Sequence, residues 1–174
     1  MIYVALLRGI NVGTTKRIDM KKQIAIFEEN GYSNVSTYIN SGNVTFESAK
    51  KSKILRNEIE SILLKDLGFH IPAIVKSTGE LQQIVKKIPA GWVNDDKEGT
   101  DVAYLFEEID SPETVNELPV RRNFIDVRYT KGAIFWNVQR VNYHKSHLNK
   151  LIDHKLYQHM TVRNINTARY LAGI

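Results

Sequence analysis

The residues best suited to chemistry lie near the start of the chain, in the segment ALLRGINVGTTKRIDM. Its apolar run ends in Arg8, Gly13 follows, and Lys16 stands shortly before Asp19, where a helix is predicted to begin. Glycine-rich loops that lead into a helix often hold phosphate, because free N–H groups and the positive end of the helix dipole face the anion. The segment therefore predicts an anion-binding loop in which Arg8 and Lys16 neutralise the ligand.

This loop does not match the phosphate-binding motif of nucleotide hydrolases. That motif needs Gly-Lys followed by Ser or Thr after a four-residue gap, whereas Lys16 lies three residues after Gly13. A structural alternative stays open, in which the glycines only permit turns with positive φ and Asn11 only satisfies turn backbone.

Two further segments are expected to lie at the same place as this loop. The turn NSGN at 40–43 has a glycine, Gly42, for which we predict a positive φ, and His70 precedes the fourth strand. In a β-α-β-β-α-β sheet the first and third strands are antiparallel neighbours, so the exit of the first strand and this turn share one sheet end. The predicted ligand-binding residues are Arg8, Asn11, Gly13, Lys16, Ser41 and Asn43.

A second candidate site lies near the C-terminus, in TVRNINTAR at 161–169. Asn and Thr are good helix caps, so capping accounts for part of this pattern. Capping does not account for the two arginines, which are suited to binding an anion. We therefore predict ligand binding by Arg163, Asn164 and Asn166.

Several kinds of chemistry are not indicated. The chain has no cysteine, which excludes disulfides, thiolate catalysis and cysteine metal sites. No metal site is predicted, because the histidines of the last third have neither an acidic cluster nor an H-E-x-x-H motif beside them. IYVALL resembles the first strand of RNA-recognition domains, but GNVTF offers only Phe46 for base stacking, and Tyr3 and Tyr38 are interpreted as packing residues.

Composition indicates a globular chain with a basic excess. Of its 174 residues, 43% are hydrophobic, and the net charge is +5. Residues 91–117 carry nine acids and one lysine, and the flanking regions are basic. A basic excess favours anionic partners, nucleic acid included. The sequence has no apolar run long enough to cross a membrane and no recognisable signal peptide, so we expect a soluble cytoplasmic protein without a membrane partner.

Hydrophobic periodicity predicts the elements of the first half. They are a strand at 2–8, a helix at 19–30, strands at 34–40 and 44–47, a helix at 50–67 and a strand at 70–76. Met20, Ile24 and Phe27 are predicted to form the buried face of the first helix. Ser77 and Glu80 predict a capping box for one more helix.

The same order is predicted to repeat after a linker at 89–100. The elements are a strand at 101–109, a short helix at 111–118, a hairpin at 124–139, a helix at 144–156, a strand at 160–164 and a helical turn at 167–173. Within the predicted helix, Leu148, Leu151, Ile152 and Leu156 are expected to face inward.

Three motifs, ALLRGINVG, TYINSGNVTF and TVRNINT, carry a resemblance to a known family. Together they resemble an uncharacterised bacterial family, a domain of unknown function, over nearly the whole chain. The resemblance implies a two-part α+β fold of ferredoxin-like character and no particular activity. The chain departs from the family pattern at Thr14 and in VNYHKSHL, where the family tends to have glycine. A ligand that touches those places would be bound differently here.

These observations predict an α+β protein of two ferredoxin-like halves, 1–90 and 91–174, with antiparallel sheets and helices packed on one face. The leading hypothesis is that the loop after the first strand binds a phosphate-bearing or other anionic small molecule. The alternatives are nucleic-acid binding over a basic face and an enzyme of unassigned class.

Overall fold

The structure, a computed structural model, describes residues 1–11, 17–39 and 42–173. The chain divides into two compact units, residues 1–80 and 81–174. Each unit contains one four-stranded antiparallel sheet together with helices. The predicted α+β class with two halves is therefore confirmed.

The first unit contains six elements in the predicted order. They are β1 Ile2–Leu7, α1 Met20–Glu29, β2 Ser33–Thr37, β3 Asn43–Glu47, α2 Ser52–Leu67 and β4 Ala73–Ser77, and α3 Thr78–Val85 follows. The strand order is β2-β3-β1-β4. Strand β4 lies at an edge, as expected for a strand that follows directly after Pro72.

Local capping explains where the helices begin and end. The Asp19 carboxylate accepts the Lys22 N–H at 2.7 Å and caps α1. Gly68, with φ of 78°, ends α2 in the left-handed conformation that glycine adopts without strain. The predicted capping box forms, since Glu80 accepts the Ser77 N–H at 2.7 Å and Ser77 Oγ accepts the Glu80 N–H at 3.2 Å.

The core of the first unit lies between one face of its sheet and helices α1 and α2. Tyr3, Ala5 and Leu7 of β1 contribute to this core, and Val4 and Leu6 on the opposite face are buried as well. The buried face of each helix supplies the remaining large side chains, which include Ile26, Phe27, Leu55, Ile59 and Leu63.

The predicted buried face of α1 was wrong in part. Met20 is 42% exposed, and Gln23 lies buried beside Ile26 and Phe27 instead. The Gln23 amide nitrogen donates to the Ile18 carbonyl at 3.1 Å, so one end of this buried amide is hydrogen-bonded.

The second unit repeats the strand arrangement. Its elements are β5 Glu98–Leu105, α4 Thr114–Glu117, β6 Asp126–Thr130, β7 Ala133–Gln139, β8 Met160–Asn164 and α5 Ile165–Ala172. The strand order β6-β7-β5-β8 corresponds to that of the first sheet. The predicted hairpin at 124–139 is confirmed, and Gly132 at its turn has φ of 86°.

Two predictions for the second unit were wrong. Strand β5 begins at Glu98, inside the predicted linker, and ends at Leu105. The predicted helix at 144–156 is absent from this described segment, where the chain forms short 3₁₀ segments at Leu148–Asp153 and Lys155–His159. His147 has φ of 61°, and an α-helix of L-residues does not continue through that conformation. As a result Ile152, which was expected to face inward, is 61% exposed.

Equivalent backbone hydrogen bonds within each sheet identify which residues of the two sheets correspond. The Leu7 N–H donates to the Gly42 carbonyl at 2.8 Å, and the Leu105 N–H donates to the Gly132 carbonyl at 3.0 Å. Leu7 thus corresponds to Leu105, and Tyr3, four residues earlier, corresponds to Asp101. The paired residues agree, because Tyr3 is opposite Phe46 and Asp101 is opposite Trp136.

Candidate functional site

The predicted anion-binding loop begins directly after β1. Arg8 is half-buried there, and its N–H donates to the Pro72 carbonyl at 2.9 Å. Gly9 has φ of 72°, and the space where a Cβ would stand is open to 4 Å. Gly13 and Lys16 lie outside the described residues.

Asn11 connects the two described ends of this loop. Its amide donates to the Ile18 carbonyl at 3.0 Å, and its amide oxygen accepts the Ile18 N–H at 2.8 Å. This pair of bonds holds the exit of β1 next to the start of α1. Asn11 therefore serves the loop backbone, which is the structural alternative recognised from the sequence.

The turn before β3 lies at the same sheet end, since Gly42 accepts the Leu7 N–H next to Arg8. Gly42 has the predicted positive φ, 74°. Asn43 is fully buried and donates its amide to the Tyr38 carbonyl at 3.0 Å, so it braces this turn. Ser41 lies outside the described residues, and His70 contacts the Glu60 carboxylate at 3.3 Å.

The sequence that leaves β1 and enters α1 is strongly basic, and the Glu60 carboxylate, which accepts the Ala73 N–H at 2.9 Å, also lies at this sheet end. The sequence from 8 to 22 contains five Lys or Arg residues and a single acid, the capping Asp19. Lys21 and Lys22, in the first turn of α1, are exposed. The N-terminal end of the helix dipole adds to this positive potential.

In the second candidate segment, Arg163 is built into the sheet. It is only 9% exposed, and its guanidinium donates to Thr161 Oγ1 at 2.9 Å and to the Val162 carbonyl at 2.8 Å. Burial lowers the pKa of Arg163 to about 10, and the neighbouring Tyr104 and Tyr157 oppose that shift.

The other polar residues of this segment lie around α5. Asn164 caps this helix by accepting the Thr167 N–H at 2.9 Å, and Asn166 is exposed. Arg169 donates to the Trp92 carbonyl at 3.0 Å. Arg163 and Arg169, which capping did not explain in the sequence, thus both make hydrogen bonds within the second unit.

The structure also contains two clefts that sequence analysis missed. An open groove of about 610 Å³ follows residues 122–127 and is lined by the amides of Asn137, Gln139 and Asn142. A smaller pocket of about 240 Å³ contains Asp101, Trp136 and Tyr157 among its lining residues. The sequence signal for the smaller pocket is an aspartate, Asp101, directly before the apolar run VAYLF. That signal alone does not identify a pocket.

The Asp101 carboxylate is half-buried on the central strand β5. Trp136 Nε1 donates to Asp101 Oδ2 at 3.2 Å. Burial raises the pKa of Asp101, and the Trp136 hydrogen bond and the Arg140 charge oppose the rise.

Tyr3 and Phe46 of the first sheet belong to the core, which agrees with the interpretation of Tyr3 from the sequence, while Tyr38 is half-buried. Tyr3 is 4% exposed, its hydroxyl donates to the Lys50 carbonyl at 2.8 Å, and its ring stacks on Phe46 with centroids 6.0 Å apart. They form no exposed stacking platform for bases.

Metal binding and membrane insertion find no support in the described part of the chain. Among those residues, no group of three His, Asp or Glu side chains is arranged to hold a metal ion. No described helix combines the length and apolar character needed to cross a membrane.

Two sheets with one shared strand order, each accompanied by helices, define a two-part α+β protein whose topology is consistent with ferredoxin-like halves. Residues 1–136 match the model of the family described as "Protein of unknown function (DUF1697)", and the chain belongs to this family. No curated protein matches the chain at a significant level.

A solved structure supports the same fold over the full length. The chain is similar to conserved bacterial protein SP0830 from Streptococcus pneumoniae, with 26% identity and a TM-score of 0.85. The similarity covers 99% of this chain and 97% of that one.

Proposed function

We propose that the protein binds a phosphate-bearing or other small anionic ligand at the end of the first sheet, where β1 leads into α1. The observation that carries this proposal is the pair of hydrogen bonds between Asn11 and Ile18. They hold the end of β1, where Arg8 lies, next to the start of α1, where the exposed Lys21 and Lys22 lie. Because these two described ends are already held together, a ligand that contacts both spends no affinity on bringing them together.

Charge supports the same proposal. Lys21 and Lys22 are exposed in the first turn of α1, where the helix dipole makes a cation slightly unfavourable. An anion in front of this turn would offset that repulsion and would interact with the dipole favourably. A cytoplasmic location is part of the proposal, and the absence of cysteine agrees with a reducing compartment.

The test is calorimetric titration with inorganic phosphate, pyrophosphate and a nucleoside triphosphate at low salt. The parent protein should bind at least one of these at millimolar concentration or below. Arg8→Gln should weaken that binding by about tenfold, equivalent to about 1.4 kcal/mol, since it removes a charge-assisted contact. Failure of all three anions to bind would contradict the proposal.

Two further variants separate a local site from general positive charge. Arg121→Gln removes an exposed arginine from the second unit and should leave anion affinity unchanged. Lys21→Gln combined with Lys22→Gln should weaken binding less than Arg8→Gln and reduce its salt dependence. Equal losses in Arg8→Gln and Arg121→Gln would indicate unspecific attraction instead of a site.

Nucleic-acid binding, the alternative function, predicts a different result. Affinity for single-stranded or double-stranded oligonucleotides would then fall steeply with salt and exceed the affinity for a free triphosphate. For the proposed anion site after β1 we expect the reverse, a higher affinity for the free triphosphate than for oligonucleotides.

A further inference from the structure

The pocket around Asp101 has the composition of a site for an organic cation. It lies on the face of the second sheet that carries the hydrophobic core, beneath the 3₁₀ segments. Three aromatic residues, Trp136, Tyr143 and Tyr157, line it together with Leu148 and Ile152. Asp101 is the single carboxylate among the described lining residues.

Packing alone does not explain an acid at this position. Asp101 lies on β5, which is paired on both sides, by β7 and β8. Aspartate is depleted in strands, and burying a carboxylate is unfavourable unless it is paired. Its single hydrogen bond among the described residues comes from Trp136 Nε1, and a neutral asparagine would accept that N–H without a desolvated charge.

The cationic side chain whose charge acts on Asp101, Arg140, is engaged elsewhere. Arg140 donates from Nε to the Asp95 carbonyl at 3.1 Å and from Nη2 to Asn94 Oδ1 at 2.8 Å. Its charge influences the pKa of Asp101 at a distance, without an ion pair between these two described residues. The carboxylate therefore keeps capacity to accept hydrogen bonds from a ligand.

The corresponding position in the first sheet lacks this chemistry. Tyr3 fills the place of Asp101, stacks on Phe46 and is 4% exposed. In the first unit, this sheet position is thus occupied by a buried aromatic residue of the core. The change to a carboxylate coincides with a cavity of about 240 Å³.

We propose that this pocket binds a small organic cation, a primary or secondary ammonium with an apolar or aromatic body. The ammonium would lie at Asp101, and the body would pack against Trp136, Tyr143 and Ile152. A carboxylate gives a charge-assisted hydrogen bond, and aromatic faces attract cations, so both parts of the lining favour this class of ligand. The volume is below the usual range for drug-sized ligands, which restricts the ligand to a small amine.

The first experiment compares three probes of similar shape and different charge. Phenethylammonium, phenethyl alcohol and hydrocinnamate are titrated into the full chain at neutral pH, with calorimetry and tryptophan fluorescence as readouts. The ammonium should bind with millimolar or better affinity, and about tenfold or more tighter than the alcohol, because only the ammonium pairs with Asp101. Hydrocinnamate should not bind.

Three results would overturn the proposal. They are no binding of phenethylammonium at millimolar concentration, equal affinity for the alcohol, or tighter binding of hydrocinnamate. The second of these would indicate an apolar pocket without cation selectivity.

The second experiment assigns the selectivity to Asp101. Asp101→Asn should weaken phenethylammonium binding about tenfold or more and leave alcohol binding unchanged. Asp153→Asn makes the same charge change at an exposed residue that does not line the pocket, and should bind as the parent does. Equal affinity in the parent and Asp101→Asn would contradict the assignment.

A third variant keeps the assignment testable if Asp101→Asn does not fold. Tyr143→Leu removes a ring that is 37% exposed at the pocket, so the fold should tolerate it. It should weaken phenethylammonium binding several-fold and alcohol binding less, because cation–π attraction acts on the charged probe only. Unchanged binding of both probes would overturn the placement.

Discussion

The two units share a strand order but cover their sheets differently. In the first unit, α2 runs over 16 residues and buries Leu55, Ile59 and Leu63 against the sheet. In the second, 3₁₀ segments take its place and leave Ile152 exposed beside the Asp101 pocket. Short 3₁₀ segments do not present the continuous apolar row that an α-helix does. The same topology therefore supports a closed core in one unit and frames a pocket in the other.

The two units also differ in the charge of these regions. The segment that joins β1 to α1 is rich in basic residues, whereas the pocket of the second unit contains a half-buried carboxylate. Function on duplicated folds depends on such local differences, because topology alone defines no chemistry.

The largest expected effect concerns the equivalent aromatic residues Phe46 and Trp136. Phe46 is fully buried and contacts the rings of Tyr3, Phe27 and Tyr32. Phe46→Ala should lower the free energy of unfolding by about 3–5 kcal/mol, because the cavity it leaves is enclosed. Urea denaturation followed by circular dichroism measures this loss.

Trp136→Ala should cost less than Phe46→Ala, although tryptophan is the larger side chain. Trp136 already borders the pocket, so its removal enlarges a space that solvent can enter. An equal or greater loss for Trp136→Ala would contradict the description of the second unit as the more open one.

The second prediction concerns the turn at Gly42. A Cβ there would lie 2.7 Å from Ile10 Cδ1 and 2.9 Å from Leu7 Cβ, in a backbone with φ of 74°. Gly42→Ala should therefore lower the free energy of unfolding by about 2–4 kcal/mol, from backbone strain and overpacking together.

Gly31→Ala is the matched control. Gly31 has φ of 87°, and the position of its Cβ is open to 4 Å. It carries only the backbone strain, so its cost should be about 1–2 kcal/mol. Equal melting temperatures for the two variants would show that crowding at Gly42 contributes nothing.

The third prediction tests the equivalence of the helices that follow β4 and β8. Ser77 caps α3, and Asn164 caps α5. Ser77→Ala and Asn164→Ala should each lower the free energy of unfolding by about 1 kcal/mol, because each leaves helix N–H groups without their acceptor. A loss several times larger for Asn164→Ala would mean that Asn164 stabilises the fold through contacts beyond this cap.

Much of the first unit was predictable because its signals are local. Asp19, Gly68 and the Ser77–Glu80 capping box mark helix ends by hydrogen bonds within a few residues. The face of α1 was harder to predict, since the buried Gln23 depends on the Ile18 carbonyl, which belongs to the preceding loop.

The second unit and its pocket were less predictable for a physical reason. The leucines of 144–156 have helical spacing, but the left-handed conformation at His147 stops an α-helix, and a single histidine is only a weak signal for that conformation. The pocket depends on Asp101, Tyr143 and Tyr157, which are brought together only by tertiary structure. By contrast, the shared sheet end of the loop after β1 and the turn at Gly42 was predictable, because it follows from the antiparallel pairing of β1 and β3.

The smallest expected effect is a gain in stability on substituting Asp101, whereas the preceding variants are expected to lose stability. Burial raises the pKa of Asp101, so the folded protein favours the protonated form more than the unfolded chain does. That stabilisation is complete below the ordinary pKa of aspartate and is lost as pH rises through the raised folded value. At neutral pH the charged carboxylate therefore destabilises the fold, and Asp101→Asn should raise the free energy of unfolding by up to about 1 kcal/mol.

The difference between Asp101→Asn and the parent protein should also depend on pH in one direction. It should be near zero in acid, where the aspartate is protonated, and should increase toward neutral pH. Arg140, Tyr143 and Tyr157 are described titratable residues near this carboxylate. Asp153→Asn, at an exposed acid, should show no such trend in urea denaturation at matched pH values. If Asp101→Asn instead lowers stability at neutral pH, the carboxylate stabilises the fold. Asp101 would then have a structural role, as Tyr3 does at the equivalent position of the first sheet.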